Sequence, residues 1–402
     1  MKSQPRRGAI NRWWAAVTVV CCLALPACRP APWTPAAGPL KERFQATLDH
    51  LRTERSFPGA VAAYTLPDGT VETFATGFAD QEAGTPMPRD ARLLAGSIGK
   101  TFAAAVALEL VKEGKLALDA TIDRWLGDRP WFARLPNAHD ITLRHLLTHS
   151  SGLSDHYQDP DIEAVFAAGR VTGDPDWHIT PDQAVEIIAN NLPLFSPGKG
   201  FAYTDTGYIL VGFIIEKVTG APYYDELQRR FLAPLGLGMT APSNHRDLAG
   251  LVPGYIGKSN PMGLPAKTVE RGAMVFSPAS EWTGGGLVSN PADLVRWARE
   301  LYEGRAMPYH YLDELLTSVP WGDAKDVRYG LGVIVSDTPQ GTRYGHSGWF
   351  PGYVADVRYY PAQRVAVAIQ VNTDNEKATG AWVTALAGVV LPEAAKTPAT
   401  AQ

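Results

Sequence analysis

The sequence has almost no cysteine. Three occur in 402 residues, Cys21, Cys22 and Cys28, all within the first 28 positions. This excludes a disulfide framework and a cysteine-based zinc site from the body of the chain. An excess of one charge is missing too: 37 Lys and Arg oppose 41 Asp and Glu, a formal net charge of -4. Such a balance lacks the basic footprint of a nucleic-acid binder. Internal repeats and heptad runs are absent, which excludes solenoids and coiled coils. What is present is 45% apolar and 19% charged, ample for a packed core and without a signature of disorder. With 38 Gly and 32 Pro, the composition suits a loop-rich enzyme better than a helical bundle.

The N-terminus reads as an address. Lys2, Arg6, Arg7 and Arg12 flank an apolar run from Trp13 to Leu25, too short to span a membrane comfortably. It ends at Leu25-Pro26-Ala27-Cys28, which resembles a bacterial lipobox with Cys28 as the lipidated first residue of the mature chain. Plain cleavage after a small residue and an uncleaved anchor are the alternatives. All three export the protein, so the expected location is periplasmic, lipid-anchored at Cys28. Segment 1–28 is thus read as leader, 29–38 as a Pro/Ala linker and 392–402 as a disordered tail.

Between these, Leu40, Phe44, Leu48 and Leu51 recur at helical spacing. Runs 60–66 and 71–78 flank Pro67-Asp68-Gly69, a hairpin signal. Residues 97–113 read as a helix ended by Gly114, and the middle of the chain is mostly helical stretches broken by Pro and Gly. One of them, 208–218, is strongly apolar, and another starts at Pro291 behind the cap residue Asn290. After about 328 the pattern changes to β-rich runs, at 329–335, 342–345, 353–360 and 365–371, before a closing helix around Trp382, Leu386 and Val389. The economical architecture is a discontinuous sheet domain from both chain ends (39–97 and 326–391), with a mainly helical domain (98–325) inserted.

Ser97-Ile98-Gly99-Lys100 opens a helix. Positions i and i+3 share a helical face, so the Lys100 amine can reach the Ser97 hydroxyl. A serine hydroxyl needs a base, and a lysine serves as one only when neutral, which requires a lowered pKa. Helix N-terminal N–H groups favour charge developing on an attacked carbonyl. Alone, the same spacing also fits a serine cap beside a solvated lysine.

Two further segments join it: Tyr203-Thr204-Asp205 before the apolar helix, and His346-Ser347-Gly348 late in the chain. In order and spacing these resemble the Ser-x-x-Lys, Tyr-x-Asn and Lys/His-x-Gly of the penicillin-recognising serine hydrolases, a superfamily of class C β-lactamases, D-alanyl-D-alanine carboxypeptidases, esterases and D-aminopeptidases. Stretches 146–153, 234–239 and 285–289 resemble it as well, and the likeness covers roughly 40–390. It implies an α+β, multi-domain, β-lactamase/DD-peptidase-like fold: an antiparallel sheet with flanking helices from both chain ends plus an inserted all-helical domain. It implies catalysis through an acyl-enzyme on Ser97, with Lys100 and Tyr203 as a coupled base and acid. By family position the backbone N–H groups of Ser97 and Trp349 form the oxyanion hole. Asp205, His346, Ser347 and Gly348 contact substrate, His346 as a donor whose charge follows pH.

Asp205 departs from the family's Asn. An ionised carboxylate only accepts hydrogen bonds, and beside Lys100 it favours the ammonium. It is either neutral, or tunes the site towards a substrate that offers a donor, such as an amine, or merely caps the next helix. The rings of Trp349 and Phe350 either narrow the cleft or point into the core. His145 and His149, at i and i+4, lack the following Glu of a zincin and are read as structural. His139, His156 and His178 are read as surface or loop residues, and 284–286 as a tight turn.

The expected function is an exported D-alanyl-D-alanine carboxypeptidase or related peptidase or amidase. An esterase on small acyl esters, a weak β-lactamase and a non-catalytic sensor of β-lactams or peptides are the alternatives. No cofactor or metal is implied. The partner is a small peptide or ester, with no nucleic acid, and a membrane only through the N-terminal lipid.

Overall fold

Leu40, Phe44, Leu48 and Leu51 fall on one side of helix α1 (Leu40–Arg55) and are buried or nearly so. Phe44 packs on Tyr64 and Phe74 with ring centroids 5.0 and 4.6 Å apart. Those rings belong to β1 (Gly59–Thr65) and β2 (Val71–Asp80), the expected hairpin, followed by the short β3 (Thr85–Pro86). Every residue of β1 is buried, whereas most of β2 is half-exposed. That is the pattern of a central strand beside a more peripheral one. The computed structural model describes residues 34, 35, 37–258, 260, 262–376 and 379–395. The leader with Cys28 lies outside them.

The middle of the chain supplies α2 (Gly99–Lys112), α3 (Ile162–Val171), α4 (Asp205–Thr219) and α5 (Pro291–Tyr302). Short strands interrupt it, at Leu93–Leu94, Ala241–Pro242 and Leu287–Ser289 in one small sheet and at Val269–Glu270 and Ala273–Met274 in another. Then come β4 (Val319–Pro320), β5 (Val327–Tyr329), β6 (Ile334–Thr338), β7 (Gly341–Phe350), β8 (Tyr353–Tyr360), β9 (Val365–Val371) and α6 (Gly380–Ala394). Among the described residues the large sheet is antiparallel throughout, in the order β3-β2-β1-β9-β8-β7-β6-β5-β4. β1 pairs directly with β9, Ala62 opposite Ile369, so the two chain ends meet at the centre of the sheet. α1 and α6 cover one face and α5 the other.

Several boundaries differ from the sequence reading: β7, expected over 342–345, runs on to Phe350, and β4 joins the large sheet from within the segment 98–325. The run 329–335 is not one strand. It breaks at 330–333, where Gly332 (φ +72°) donates to the Leu147 carbonyl and an added Cβ would lie 2.7 Å from the Lys100 carbonyl. Only a glycine lets the turn tuck under α2 there. The C-terminal helix continues through Pro392 to Ala394, within the segment expected as tail, and 396–402 lie outside the described residues.

α2 is anchored by its own side chains. Phe102 stacks on Trp297 of α5 at 4.1 Å and 9°, and the Trp297 indole donates to Thr101 Oγ1 at 2.8 Å. Trp297 is 1% exposed. Trp297→Ala is expected to lower stability by about 3–5 kcal/mol, because it leaves a cavity against Phe102 and removes the bond that Thr101 Oγ1 accepts, while that hydroxyl still donates to the Ile98 carbonyl. Urea unfolding measures this, and a loss below about 1 kcal/mol would show that the stack does not anchor α2.

Candidate active site

Ser97 is the central residue of a single 3-10 turn, Gly96–Ile98, that feeds into α2. Strand β7 lies hard against this turn. A Cβ on Gly96 (φ +52°) would sit 2.6 Å from the Trp349 carbonyl oxygen, and one on Gly348 would sit 1.8 Å from the Ala95 carbonyl oxygen. The two glycines therefore bring the Trp349 backbone up to Ser97, the placement that an oxyanion hole from these two residues needs.

One helical turn on, Lys100 is fully buried. Its ammonium donates to Ser97 Oγ at 3.0 Å, to the Gly284 carbonyl at 2.5 Å and to Asp205 Oδ1. Three acceptors match the three N–H bonds of an ammonium. Burial pulls the Lys100 pKa down, but the charge of Asp205, then Tyr203 and Glu281, more than reverses this and raises it. The neutral amine expected from sequence is therefore not the resting form: Lys100 stands charged. The Tyr203 ring lies 5.0 Å from the Lys100 ammonium and lines the same cleft as Ser97. Its pKa is raised by burial, partly opposed by Lys100.

Asp205 is the first residue of α4, and Thr204 is its cap, accepting from Gly207 N at 3.4 Å. The helix-cap reading of Asp205 is thus replaced by an ion pair with Lys100. The Tyr203 ring rests on His149, 4.1 Å between centroids. His149 Nδ1 accepts from Thr204 N at 3.2 Å, which fixes a neutral ring whose pKa burial pushes well down. His145, its partner at i−4, accepts from Thr142 N in a capping box. Both histidines thus serve the backbone.

His346 differs from expectation. Its Nε2 accepts from the Tyr329 hydroxyl at 2.8 Å and its Nδ1 donates to the Ser347 carbonyl at 2.5 Å. Burial, then the Lys100 charge, push its pKa well down. The ring is a fixed neutral strut with no proton left for substrate, not a donor whose charge follows pH. Ser347 and Gly348 line the cleft beside it. Phe350 turns to the cleft side, stacked with Phe276 at 6.0 Å and 17°, while Trp349 packs against the cluster under α1 and α6. His156 is not at the surface: it is fully buried, its amide donating to Thr206 Oγ1 at 3.0 Å and its Nδ1 2.9 Å from that oxygen. Helix α4 displaces it from solvent.

Sequence reasoning missed three groups. The Gly284 carbonyl belongs to a helical turn, Trp282–Gly285, rather than to a bare tight turn. Glu281 precedes that turn, and Asp155 follows the 146–153 stretch. Asp155 accepts from Tyr157 N at 2.9 Å and from Asp205 N at 3.1 Å. Burial, then Asp205, push Asp155 up to about 7 and Glu281 up to about 8. The glycine run was the available signal. A Cβ on Gly285 would lie 2.4 Å from Glu281 Oε2 and 2.6 Å from Gly96 C, so the run marks a close approach to the serine turn.

Ser97, Tyr203, Asp205, Asp155 and Glu281 line a cleft of about 1140 Å³ together with Ile162 and Phe166 of α3, Trp177 and Phe276, and with Glu163 and Arg170 of α3. The arrangement can do acyl transfer. A hydroxyl and an amine are hydrogen-bonded, a phenol ring lies beside the amine, and two close-packed backbone segments face the place where an oxyanion would form.

The family model described as Beta-lactamase matches residues 44–389. Penicillin-binding protein 4* of Bacillus subtilis (strain 168) is 26% identical over 354 residues, covering 84% of this chain and 74% of its own length. Esterase EstB of Burkholderia gladioli is 29% identical over 358 residues, covering 80% of this chain and 89% of its own. The crystal structure of a D-stereospecific amidohydrolase from Streptomyces sp. superposes with a TM-score of 0.73 at 29% identity, over 85% of this chain and 98% of that one.

Two tests follow from the charges. Removing the Asp205 carboxylate lets burial dominate at Lys100, so the amine pKa falls and its neutral fraction at a given pH rises. In Asp205→Asn the rising limb of acylation rate against pH moves to lower pH by about 1–3 units, measured by stopped flow with a nitrophenyl ester. A limb that stays in place would remove Asp205 from control of the base. Glu281 holds its proton more tightly folded than unfolded. Its stabilisation is therefore complete below the ordinary carboxylate range and is lost as pH rises through about 8. Glu281→Gln is expected to flatten the decline of Tm between about pH 5 and about pH 9 by a few degrees, and parallel Tm curves for the two proteins would contradict this.

Proposed function

The chain belongs to the beta-lactamase family and is a serine hydrolase, and from that premise we propose that it hydrolyses small amides or peptides through an acyl-enzyme on Ser97. Ser97 Oγ attacks the carbonyl carbon, and its proton passes to the Lys100–Tyr203 pair. Tyr203 returns a proton to the leaving nitrogen as the C–N bond breaks. Water then cleaves the Ser97 ester by the reverse proton route, releasing the acid and restoring the serine. The pair rests as ammonium and phenol, so it accepts a proton only after losing one, and turnover climbs with pH. The backbone N–H groups of Ser97 and Trp349 hold the oxyanion.

The observation that carries this reading is the 3.0 Å contact between Lys100 Nζ and Ser97 Oγ, with the Tyr203 ring 5.0 Å from that ammonium and lining the same cleft as Ser97. D-alanyl-D-alanine carboxypeptidase or amidase activity is favoured by the likeness to a penicillin-binding protein and a D-stereospecific amidohydrolase. Esterase activity is the second reading, favoured by the likeness to EstB and by the apolar side chains among the cleft's lining, Ile162, Phe166, Trp177 and Phe276. Weak penicillin turnover goes with Asp205 in place of Asn. Export with lipidation at Cys28 belongs to the same reading and rests on the basic-then-apolar leader.

Labelling of the purified protein with a fluorophosphonate, followed by peptide mass spectrometry, is expected to modify Ser97. Ser97→Ala abolishes labelling, and Tyr203→Phe lowers kcat about 100- to 10,000-fold on peptides with a D-residue, on D-amino-acid amides and on nitrophenyl esters. Modification at another residue, or none, would overturn the acyl-enzyme. Labelling without turnover of any substrate would turn the reading to a sensor.

A further inference from the structure

The acyl-transfer chemistry leaves one buried acid unused. Glu281 is 9% exposed and lines the same cleft as Ser97, Asp155 and Asp205. Among the described residues its carboxyl meets no hydrogen-bond donor and no ion-pair partner. The cation acting on it is Lys100, whose N–H bonds already go to Ser97, Asp205 and Gly284. Asp155 is in a similar position: its oxygens take two backbone N–H groups, the neighbouring neutral His156 stands 3.7 Å away, and no cation bonds to it. Three carboxyls thus share one ammonium. A buried carboxylate without a partner is expensive, so it holds a proton or waits for a cation. Burial and the Asp205 charge act in that direction on both acids.

We propose that Glu281, supported by Asp155, forms a subsite for the free α-ammonium of an aminoacyl substrate. The proposal rests on Ser97 acyl transfer. Glu281 Oε2 stands within a methyl group's breadth of Gly285, which in turn packs on Gly96 beside Ser97. An ammonium on the carbon next to the scissile carbonyl is to be held there, and Phe166, Trp177 and Phe276 of the same cleft are available to a side chain on that carbon. Bound there, the ammonium supplies the charge and the donors that Glu281 lacks, and the proton held by the acid is released to solvent. An N-acylated substrate brings neither charge nor donors, and leaves the carboxyl unpaired. Glu281 is a specificity determinant here, since the bond-making atoms belong to Ser97, Lys100 and Tyr203.

The test compares phenylalanine nitroanilides of both configurations with a free amine and with an N-acetyl group, on the full chain. The native protein is expected to favour the free amine about tenfold or more in kcat/KM. Glu281→Gln is expected to collapse that ratio through KM of the free amine, and Glu281→Asp to restore part of it. A native ratio near one, or a ratio that Glu281→Gln preserves, overturns the subsite. Should Glu281→Gln fail to fold, inhibition of the native protein by phenethylamine and by the neutral 3-phenylpropanol decides: stronger inhibition by the amine supports the subsite, and equal inhibition overturns it. Fluorophosphonate labelling of native Ser97 separates the two failures, because an unlabelled serine removes the acyl-enzyme itself, whereas a labelled one without amine preference removes only the subsite.

Discussion

The Lys100 ammonium is the interaction around which this molecule is arranged. It joins segments far apart in sequence: the start of α2 through Ser97, the start of α4 through Asp205, and the glycine turn through the Gly284 carbonyl. A charge with no exposed surface survives only where its partners are already in place. Each partner is held by something else. Thr204 caps α4 and so fixes where Asp205 begins it. Thr283, next to Gly284, donates to the Tyr208 carbonyl at 2.7 Å. Phe102 on Trp297 keeps α2 from rolling.

Steric absence matters as much as charge. Gly96, Gly285, Gly332 and Gly348 each stand where a Cβ would strike neighbouring backbone. Together they let β7, the 282–285 turn and the 330–333 turn converge on one short stretch, 96–100. A catalytic helix start surrounded this closely has little freedom, and that is the condition for aiming a hydroxyl and backbone N–H groups at one carbonyl.

How much of this was legible in the sequence depends on the range of the determining contacts. Ser97 and Lys100 are local, three residues apart on one helix, and the order Ser-x-x-Lys, Tyr203, His346 carried the family pattern, so the groups the structure gathers were already named. The sheet was legible because its strands alternate or run apolar between turn residues, and because chain ends with like patterns had to meet. The break at 330–333 was not, since it depends on α2 lying above Gly332. His156 reads as a loop histidine until α4 is seen to cover it. The fixed tautomer of His346 required the Tyr329 hydroxyl, which sequence spacing does not place. Glu281 and Asp155 were invisible for the same reason: their importance comes from Asp205, which reaches them only in three dimensions.

Aspartate in place of the family's asparagine thus has consequences beyond the lysine. An amide at 205 would donate as well as accept and carry no charge. A carboxylate holds Lys100 as an ammonium, and its field also raises the acids on either side. One substitution therefore does two things: it moves the base towards the charged form that accepts no proton, and it makes the cleft floor a place where negative charge is in excess. The first penalises acylation of any substrate at neutral pH. The second is relieved only by a ligand that brings positive charge, which then offsets part of the penalty at the moment of binding. A neutral β-lactam or ester meets the full penalty. In the proposed subsite the two carboxylates act together: Asp205 supplies the excess of negative charge, and Glu281 is the group through which a cationic substrate relieves it.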